Sequence, residues 1–512
     1  MQQTPTESNQ PSSSDDAIGQ ALTTSLDSQK DVLVEEEVSP FDNKDRHRWM
    51  KKNSYYYKDL ERLFSFHVEK DATVLEIGYG VGQILDAVSP KKGAGLDISK
   101  VVAGEAKKLY SKYEFSSWNG EGRIPASILQ AFPNGVDYIL LVNAPGIWQD
   151  IQQSLELLRP ICHENTRIIA TYYNFLWAPV FRLAQTVRLK MPQPALNWLS
   201  ADDVQNLFEL SNYRVVKKGY RCFVPFNLGF ISNFLNRYIA PLPLFNFFCS
   251  SHFVIARPKN ERNPSDITVS VVIPARNERG NIEPAVRRMA AVANHRPEKY
   301  ELIFVEGNSR DETWEEIQRV IKNPRIPKPG SVLSFRQTGK GKGDAVRLGF
   351  SHSTGDLVTI LDADLTMPPE DLPKFVDAWC NGHGEFINGC RLVYKMEKEA
   401  MRPLNLMGNK FFSWAFTWIL GQRFKDTLCG TKLLSRKNYE RIANGRSYFG
   451  DFDPFGDFDL LFGASKLDLE FAEVPIRYRE RKYGSTNISR WRHGWLLLQM
   501  CLYALRRIKF VP

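Results

Sequence analysis

Val74-Leu-Glu-Ile-Gly-Tyr-Gly-Val-Gly82 is an apolar run that breaks into three glycines at alternate positions and continues into the helical pattern Gln83-Ile-Leu-Asp-Ala-Val88. A strand, a glycine turn and a helix in that order open a parallel α/β sheet, and glycine at the turn lets backbone approach a bound ligand closely. The spacing discriminates between ligands. A dinucleotide fingerprint G-x-G-x-x-G requires glycine at position 83, where the chain has Gln83. The pattern is instead E-x-G-x-G-x-G, starting at Glu76. One βαβ step further, Gly93-Ala-Gly-Leu-Asp97 ends in a carboxylate where such sheets hold an acid for ribose hydroxyls. Residues 136–143 read as a later strand, followed by Trp148 and a helix over 151–158.

These residues resemble motif I and the following strands of class I S-adenosylmethionine-dependent methyltransferases, over residues 46–257. The resemblance implies that Gly78, Gly80 and Gly82 wrap the methionine and ribose portions of S-adenosylmethionine. It places Glu76 beneath them and Asp97 on the ribose. Asn119, in Trp118-Asn-Gly-Glu121, is the candidate on the adenine side, where the family's usual Asp is missing. The plain alternative is a glycine turn with no cofactor. Nothing in the sequence identifies a methyl acceptor.

Length and composition bound the rest. The 512 residues, 43% hydrophobic and 12% aromatic, suffice for more than one packed core. A formal charge of +9 suits phosphate-rich small molecules, an anionic membrane face or nucleic acid, and no nucleic-acid module is recognisable. Seven cysteines, odd in number and without a C-x-x-C pair, argue against a disulfide framework or thiolate zinc site and for a reducing, cytoplasmic compartment. Residues 1–45 are rich in Ser, Thr, Gln and acids and are expected to form a disordered tail. The N-terminus lacks the pattern of a secretory signal. The polar stretch 258–266, Pro-Lys-Asn-Glu-Arg-Asn-Pro-Ser-Asp, reads as a linker between two units.

In the second unit, Ile267-Thr-Val-Ser-Val-Val-Ile-Pro-Ala-Arg-Asn-Glu278 is a buried-strand pattern ending in a polar turn. Gly339-Lys-Gly-Lys-Gly-Asp-Ala-Val-Arg347 supplies pliant backbone and cations just before a helix, a combination suited to a diphosphate. Thr359-Ile-Leu-Asp-Ala-Asp364 ends a strand in two carboxylates one residue apart, which therefore share a face. A hard divalent ion on such oxygens neutralises charge developing on a diphosphate leaving group.

Residues 267–495 thereby resemble family 2 glycosyltransferases of the GT-A fold, nearest the dolichyl- or polyprenyl-phosphate sugar transferases. The resemblance implies inversion at the anomeric carbon. It assigns Pro274, Arg276, Glu278, Glu306, Lys340, Lys342 and Asp362 to a nucleotide-diphosphate sugar, and Asp362 and Asp364 to Mg2+ or Mn2+. Gly307 stands where the family commonly has a second acid after Glu306. Arg481 and Lys482, in a basic loop, are assigned to phosphates on the acceptor side. If the acceptor is a lipid phosphate no general base is required; a sugar hydroxyl of a growing glycan requires one, with Asp459 first and Asp426 second.

Two further stretches, Lys410-Phe-Phe-Ser-Trp-Ala-Phe-Thr-Trp-Ile-Leu420 and the basic segment that ends the chain from residue 496, suit either helices in a bilayer interface or ordinary packing. The expectation is an α/β chain with a Rossmann-like methyltransferase domain and a C-terminal GT-A glycosyltransferase domain. It is cytoplasmic, with peripheral contact at the inner face of the membrane. The alternative makes the first unit a non-catalytic docking module.

Overall fold

The computed structural model describes residues 46–78, 80–193, 196–394, 403–450, 458–479, 481, 483 and 490–511. The expected tail and Lys482 lie outside the described residues.

Two seven-stranded sheets are built in series. The first comprises β1 (Thr73–Ile77), β2 (Lys92–Asp97), β3 (Glu114–Ser117), β4 (Val136–Val142), β5 (Cys162–Tyr173), β6 (Tyr213–Arg221) and β7 (Ser251–Pro258). Their spatial order is β3-β2-β1-β4-β5-β7-β6, parallel except that β7 runs against both neighbours. The chain steps outward from β1 to β3 and then returns to the other side of β1 with β4. That reversal opens a crevice at the carboxyl ends of β1 and β4, where α/β sheets take ligands.

The second sheet follows the same logic. It comprises β8 (Thr268–Ala275), β9 (Lys299–Glu306), β10 (Gly330–Arg336), β11 (Leu357–Ile360), β12 (Phe386–Cys390), β13 (Lys432–Ser435) and β14 (Phe471–Pro475). The order is β10-β9-β8-β11-β13-β12-β14, with β13 antiparallel to its neighbours. Its reversal lies between β8 and β11, which end at Ala275 and at Ile360, just before Asp362.

Central strands of both sheets are buried on both faces, as their unbroken apolar runs require. In the first unit Leu75, Leu96 and Ile139 pack with Trp118 and Phe208 on one face. Val74, Leu140 and Ile255 pack on the other with Leu60, Leu63 and Phe64 of the helix Ser54–His67. The second unit is likewise covered on both faces.

The two units meet through buried charge. Arg167 of β5, fully buried, donates to both oxygens of Glu385 at 2.8 Å and through Nε to the Asp468 carbonyl at 3.0 Å. Arg257 of β7 donates to Glu470 at 2.8 Å and to the Gly382 carbonyl at 2.8 Å, while Arg214 of β6 donates to the other Glu470 oxygen. His67 Nδ1 lies 2.6 Å from Asp468.

Candidate functional site

The second sheet's crevice is a cavity of about 510 Å³, within the range of nucleotide-sized ligand pockets. Six of the seven residues expected on the donor line it: Pro274, Arg276, Glu278, Lys340, Lys342 and Asp362, joined by Asp364 and Arg481. Loop geometry explains the wall. Asn277 and Asn308 both take left-handed backbone, and the Asn277 side chain accepts from Arg310 N at 2.7 Å. Glu278 N donates to Thr313 Oγ1, so the turns after β8 and β9 are tied to each other. Glu306 does not join the set. Its carboxylate folds back to accept from Ser309 N at 2.6 Å, closing its own loop.

Asp362 Oδ1 lies 2.6 Å from Lys342 Nζ, and Asp364 Oδ2 lies 2.6 Å from Arg481 Nη2. Asp364 Oδ1 accepts from the Thr366 amide and hydroxyl at 3.0 and 2.8 Å, which fixes its rotamer. Burial works to raise the Asp362 carboxyl, but the Lys342 charge and hydrogen bond, with Lys432 and Arg391 beyond, hold it below the usual carboxylate range. Gly430 seals this corner: a Cβ there would overlap both Asp362 Oδ2 and Lys342 Nζ. Among the described residues no group of three or more His, Cys, Asp or Glu is placed to hold a metal. The two aspartates nevertheless fit Mg2+ or Mn2+, because such ions commonly take one or two carboxylates and complete their shell with substrate phosphates and water. A cation arriving there competes with Lys342 and Arg481 for the same oxygens.

A second cavity of about 190 Å³ shares Lys342, Asp362, Asp364 and Arg481 with the first and adds Arg391, Thr431 and Tyr478. Arg391 stacks on Tyr478 at 5.3 Å. Sequence reasoning missed Arg391, Asn308 and Gln337, although the last stands two residues before the Gly339 loop and donates to Gly341 O and Asp344.

The two expected bases are corrected by their partners. Asp426 is buried and accepts from Arg391 Nε, Nη2 and backbone N at 2.8, 2.8 and 3.0 Å, and from Leu428 N. Burial alone would raise its carboxyl; Arg391 outweighs that and holds it below the ordinary value. Every oxygen is occupied, so it is not placed to take a proton. Asp459 pairs with Arg446 at 3.0 Å and Arg347 at 3.6 Å and lines neither cavity.

In the first unit the glycine turn follows β1 as expected. Gly78 and Gly82 have φ of 80° and 84°, and a Cβ would stand 2.8 Å from Val142 O at the first and 2.9 Å from Phe115 at the second. Side chains are therefore excluded by both conformation and space. Glu76 is fully buried beneath the turn, with Oε2 accepting from Leu85 N at 2.8 Å and Oε1 unpartnered. Burial, with Asp97 nearby, pushes its carboxyl well above the ordinary value. Asp97 is buried, accepts from Ser99 N at 3.0 Å and faces Arg46 at 3.6 Å. Asn119 stands apart: it is exposed, and its side chain closes a turn onto Glu121. The crevice is only about 60 Å³, because the helix Arg46–Lys52 lies over the turn with Met50 and Arg46 beside Gly80.

Residues 270–441 match the family model Glycosyl transferase family 2. The second unit is a glycosyl transferase family 2 domain. Among curated relatives, the low-salt glycan biosynthesis hexosyltransferase Agl6 of Haloferax volcanii is 27% identical over 237 residues, 45% of this chain and 52% of that protein. The undecaprenyl-phosphate 4-deoxy-4-formamido-L-arabinose transferase of Sodalis glossinidius is 36% identical over 227 residues, 43% of this chain and 63% of its own length. The chain thus spans between half and two thirds of these two relatives. A solved S-adenosylmethionine-dependent methyltransferase of Thermotoga maritima aligns at 14% identity and a TM-score of 0.31, covering 42% of this chain and 94% of that one. The Rossmann-like fold of the first unit is read from its own strand order and glycine turn. The family 2 domain holds both its aspartates and its cations at the β8/β11 reversal.

Proposed function

We propose that the family 2 domain transfers a sugar from a nucleotide-diphosphate sugar to a lipid phosphate, with inversion. The observation that carries this reading is the shared wall of the two cavities: Lys342, Asp362, Asp364 and Arg481 face donor and acceptor spaces alike. The phosphate acceptor is favoured over a sugar hydroxyl because Asp426 and Asp459 are both consumed by arginines. A phosphate monoester is already ionised and attacks the anomeric carbon without a base. The sugar–diphosphate bond breaks and the nucleoside diphosphate departs with the bonding electrons.

Lys340, Lys342 and the amino end of the helix Lys342–Ser351 hold the diphosphate. Arg391 and Arg481 orient the acceptor phosphate, and Thr366 fixes Asp364. Asp362 and Asp364 would hold a divalent ion, which when bound would supply Lewis-acid charge to the leaving group. The test is turnover of a panel of UDP-, GDP- and dTDP-sugars with polyprenyl phosphate and Mg2+ or Mn2+. Metal-dependent transfer from one donor, lost in Asp364→Asn, supports the reading. Transfer to a glycan hydroxyl but never to the lipid phosphate refutes the acceptor.

For the first unit we propose S-adenosylmethionine binding and methylation of the same glycan or lipid-linked product. Gly78, Gly80 and Gly82 cradle the cofactor, and Asp97 holds the ribose. The polar set fits such a group, since Glu76 keeps an unpartnered oxygen under the turn. The space does not fit until the helix Arg46–Lys52 withdraws. That helix, with Arg46 already on Asp97, favours a second reading in which the unit docks the transferase without catalysis. Measured S-adenosylmethionine binding that disappears in Gly80→Arg supports catalysis; a folded chain that never binds it supports docking. We place the protein in the cytoplasm, with its acid-free helices Pro403–Leu420 and Arg490–Ala504 against the inner face of the membrane. No helix among the described residues is long and apolar enough to cross it.

A further inference from the structure

Where the two units meet there is a third cavity, of about 360 Å³, remote in its lining from both crevices. Its charge is one-sided. Among the described residues, seven Lys and Arg side chains line it, and no Asp or Glu does. Three have carboxylate partners behind the wall: Arg221 on Asp59, Lys217 on Asp468 and Lys218 on the exposed Asp202. The other four, Arg62, Arg237, Arg423 and Lys509, have no carboxylate partner among the described residues. Arg237 donates only to the Phe510 carbonyl, at 3.0 Å, and Lys509 stands over the Trp418 ring at 5.3 Å. Clustered cations without counter-charge repel one another, so the cavity costs stability unless an anion enters. Burial first, and Lys217 second, pull the Lys509 ammonium down to about 8.

The surroundings indicate what kind of anion. Trp418, Tyr220, Phe253 and Pro241 also line the cavity. Trp418 Nε1 donates to Pro241 O, joining the cavity to the segment 223–249 of the first unit. That segment carries no acid in its sequence and leaves Phe226, Phe230, Leu244, Phe247 and Phe248 more than half exposed. Phe411 and Trp414 of the neighbouring helix Pro403–Leu420 are likewise exposed. An apolar apron beside a cationic cavity matches an amphiphile whose head is charged.

We infer that this cavity binds a phosphate group through Arg62, Arg237, Arg423 and Lys509, at a site separate from that of the sugar transfer. The site is complete only when the units are together, because Arg62 and Arg237 come from the first unit, and Arg423 and Lys509 from the second.

Two probes on the full-length protein test it: inorganic phosphate by thermal shift, and phosphatidylcholine vesicles with or without phosphatidic acid by sedimentation. Arg62 and Arg423 are exposed, so Arg62→Gln/Arg423→Gln is expected to fold, and a charge-matched control is Lys107→Gln/Lys108→Gln, two exposed lysines of the helix Lys100–Leu109, which does not line the cavity. The double variant should weaken phosphate binding about tenfold or more, and the control should not. Preferential sedimentation with phosphatidic acid, lost in the same variant, assigns a lipid head group. Phosphate binding without preference for phosphatidic acid supports the site and assigns a free phosphate. Equal affinity of wild type, variant and control for both probes overturns the inference. Donor turnover is measured in parallel, so failure of the proposed transferase reaction is seen separately.

Discussion

Arg167→Met tests the buried weld between the units. The wild-type guanidinium is fully buried and donates twice to Glu385 and once to the Asp468 carbonyl. Methionine fills much of the stem volume but leaves Glu385 with only the Glu470 amide at 3.0 Å and Arg257 at 3.6 Å. Breaking a buried pair by removing one partner costs about 3–5 kcal/mol. The surviving Arg257 contact argues for the lower end, about 3 kcal/mol, or roughly a hundredfold in the unfolding constant. Removing both charges, in Arg167→Met/Glu385→Leu, should recover most of that loss, because no charge is left unpaired. The assay is urea unfolding followed by tryptophan fluorescence.

A pH series sharpens the same test. Burial works to raise the Glu385 carboxyl, but Arg167 and Arg257 hold it below the ordinary glutamate value of 4.5. A depressed carboxyl contributes stability that is complete above the unfolded value and is lost as pH falls through the lower folded one. Wild type should therefore lose stability below about pH 4.5, and the double variant should show less of this dependence. A single variant within about 1 kcal/mol of wild type, or a double variant no more stable than the single, refutes the reasoning.

Other variants probe the sites. Gly430→Ala should reduce sugar transfer about tenfold or more while leaving the fold intact, because the new methyl displaces Asp362 and Lys342; unchanged kcat/KM would contradict the assigned corner. Asp426→Asn should lower the urea midpoint, by about 3 kcal/mol of stability, without moving the pH profile of transfer to polyprenyl phosphate; a displaced limb would restore it as a base. Met50→Ala should widen the crevice beside Gly80 and tighten S-adenosylmethionine binding measured by calorimetry; no binding in either form would favour docking.

The parts of this fold legible in the sequence are those set by short-range pattern. The apolar run before Asp362 is a buried strand that delivers Asp362 and Asp364 to the crevice, although β11 stops at Ile360 and both aspartates stand in the turn after it rather than alternating along the strand, and the glycine spacing around Gly78–Gly82 by itself excludes a dinucleotide turn. What stayed hidden depends on partners distant along the chain. Asp426 is neutralised by Arg391, 35 residues earlier, and Asp459 by Arg446, 13 residues earlier. Nothing local distinguishes such consumed acids from free ones. Glu306 and Asn119 failed to join their crevices for the opposite reason, because each satisfies its own loop within three residues.

The weld itself bears on why two units share a chain. Its arginines come from β5, β6 and β7 and its acids from the segments entering β12 and β14, so it joins the flanks of the sheets and does not itself obstruct either reversal. If the units separated, both members of every pair would regain water, and the desolvation that offsets their attraction would be returned. Pairs of this kind add little net affinity, but a mismatched rotation would bury Arg167 or Arg257 against the wrong groups at several kcal/mol. The weld therefore specifies orientation, and covalent linkage supplies the effective concentration that holds the units together. A chain cut within 258–266 should thus yield units that fold but reassociate weakly, and that together fail to bind phosphate at the shared cavity.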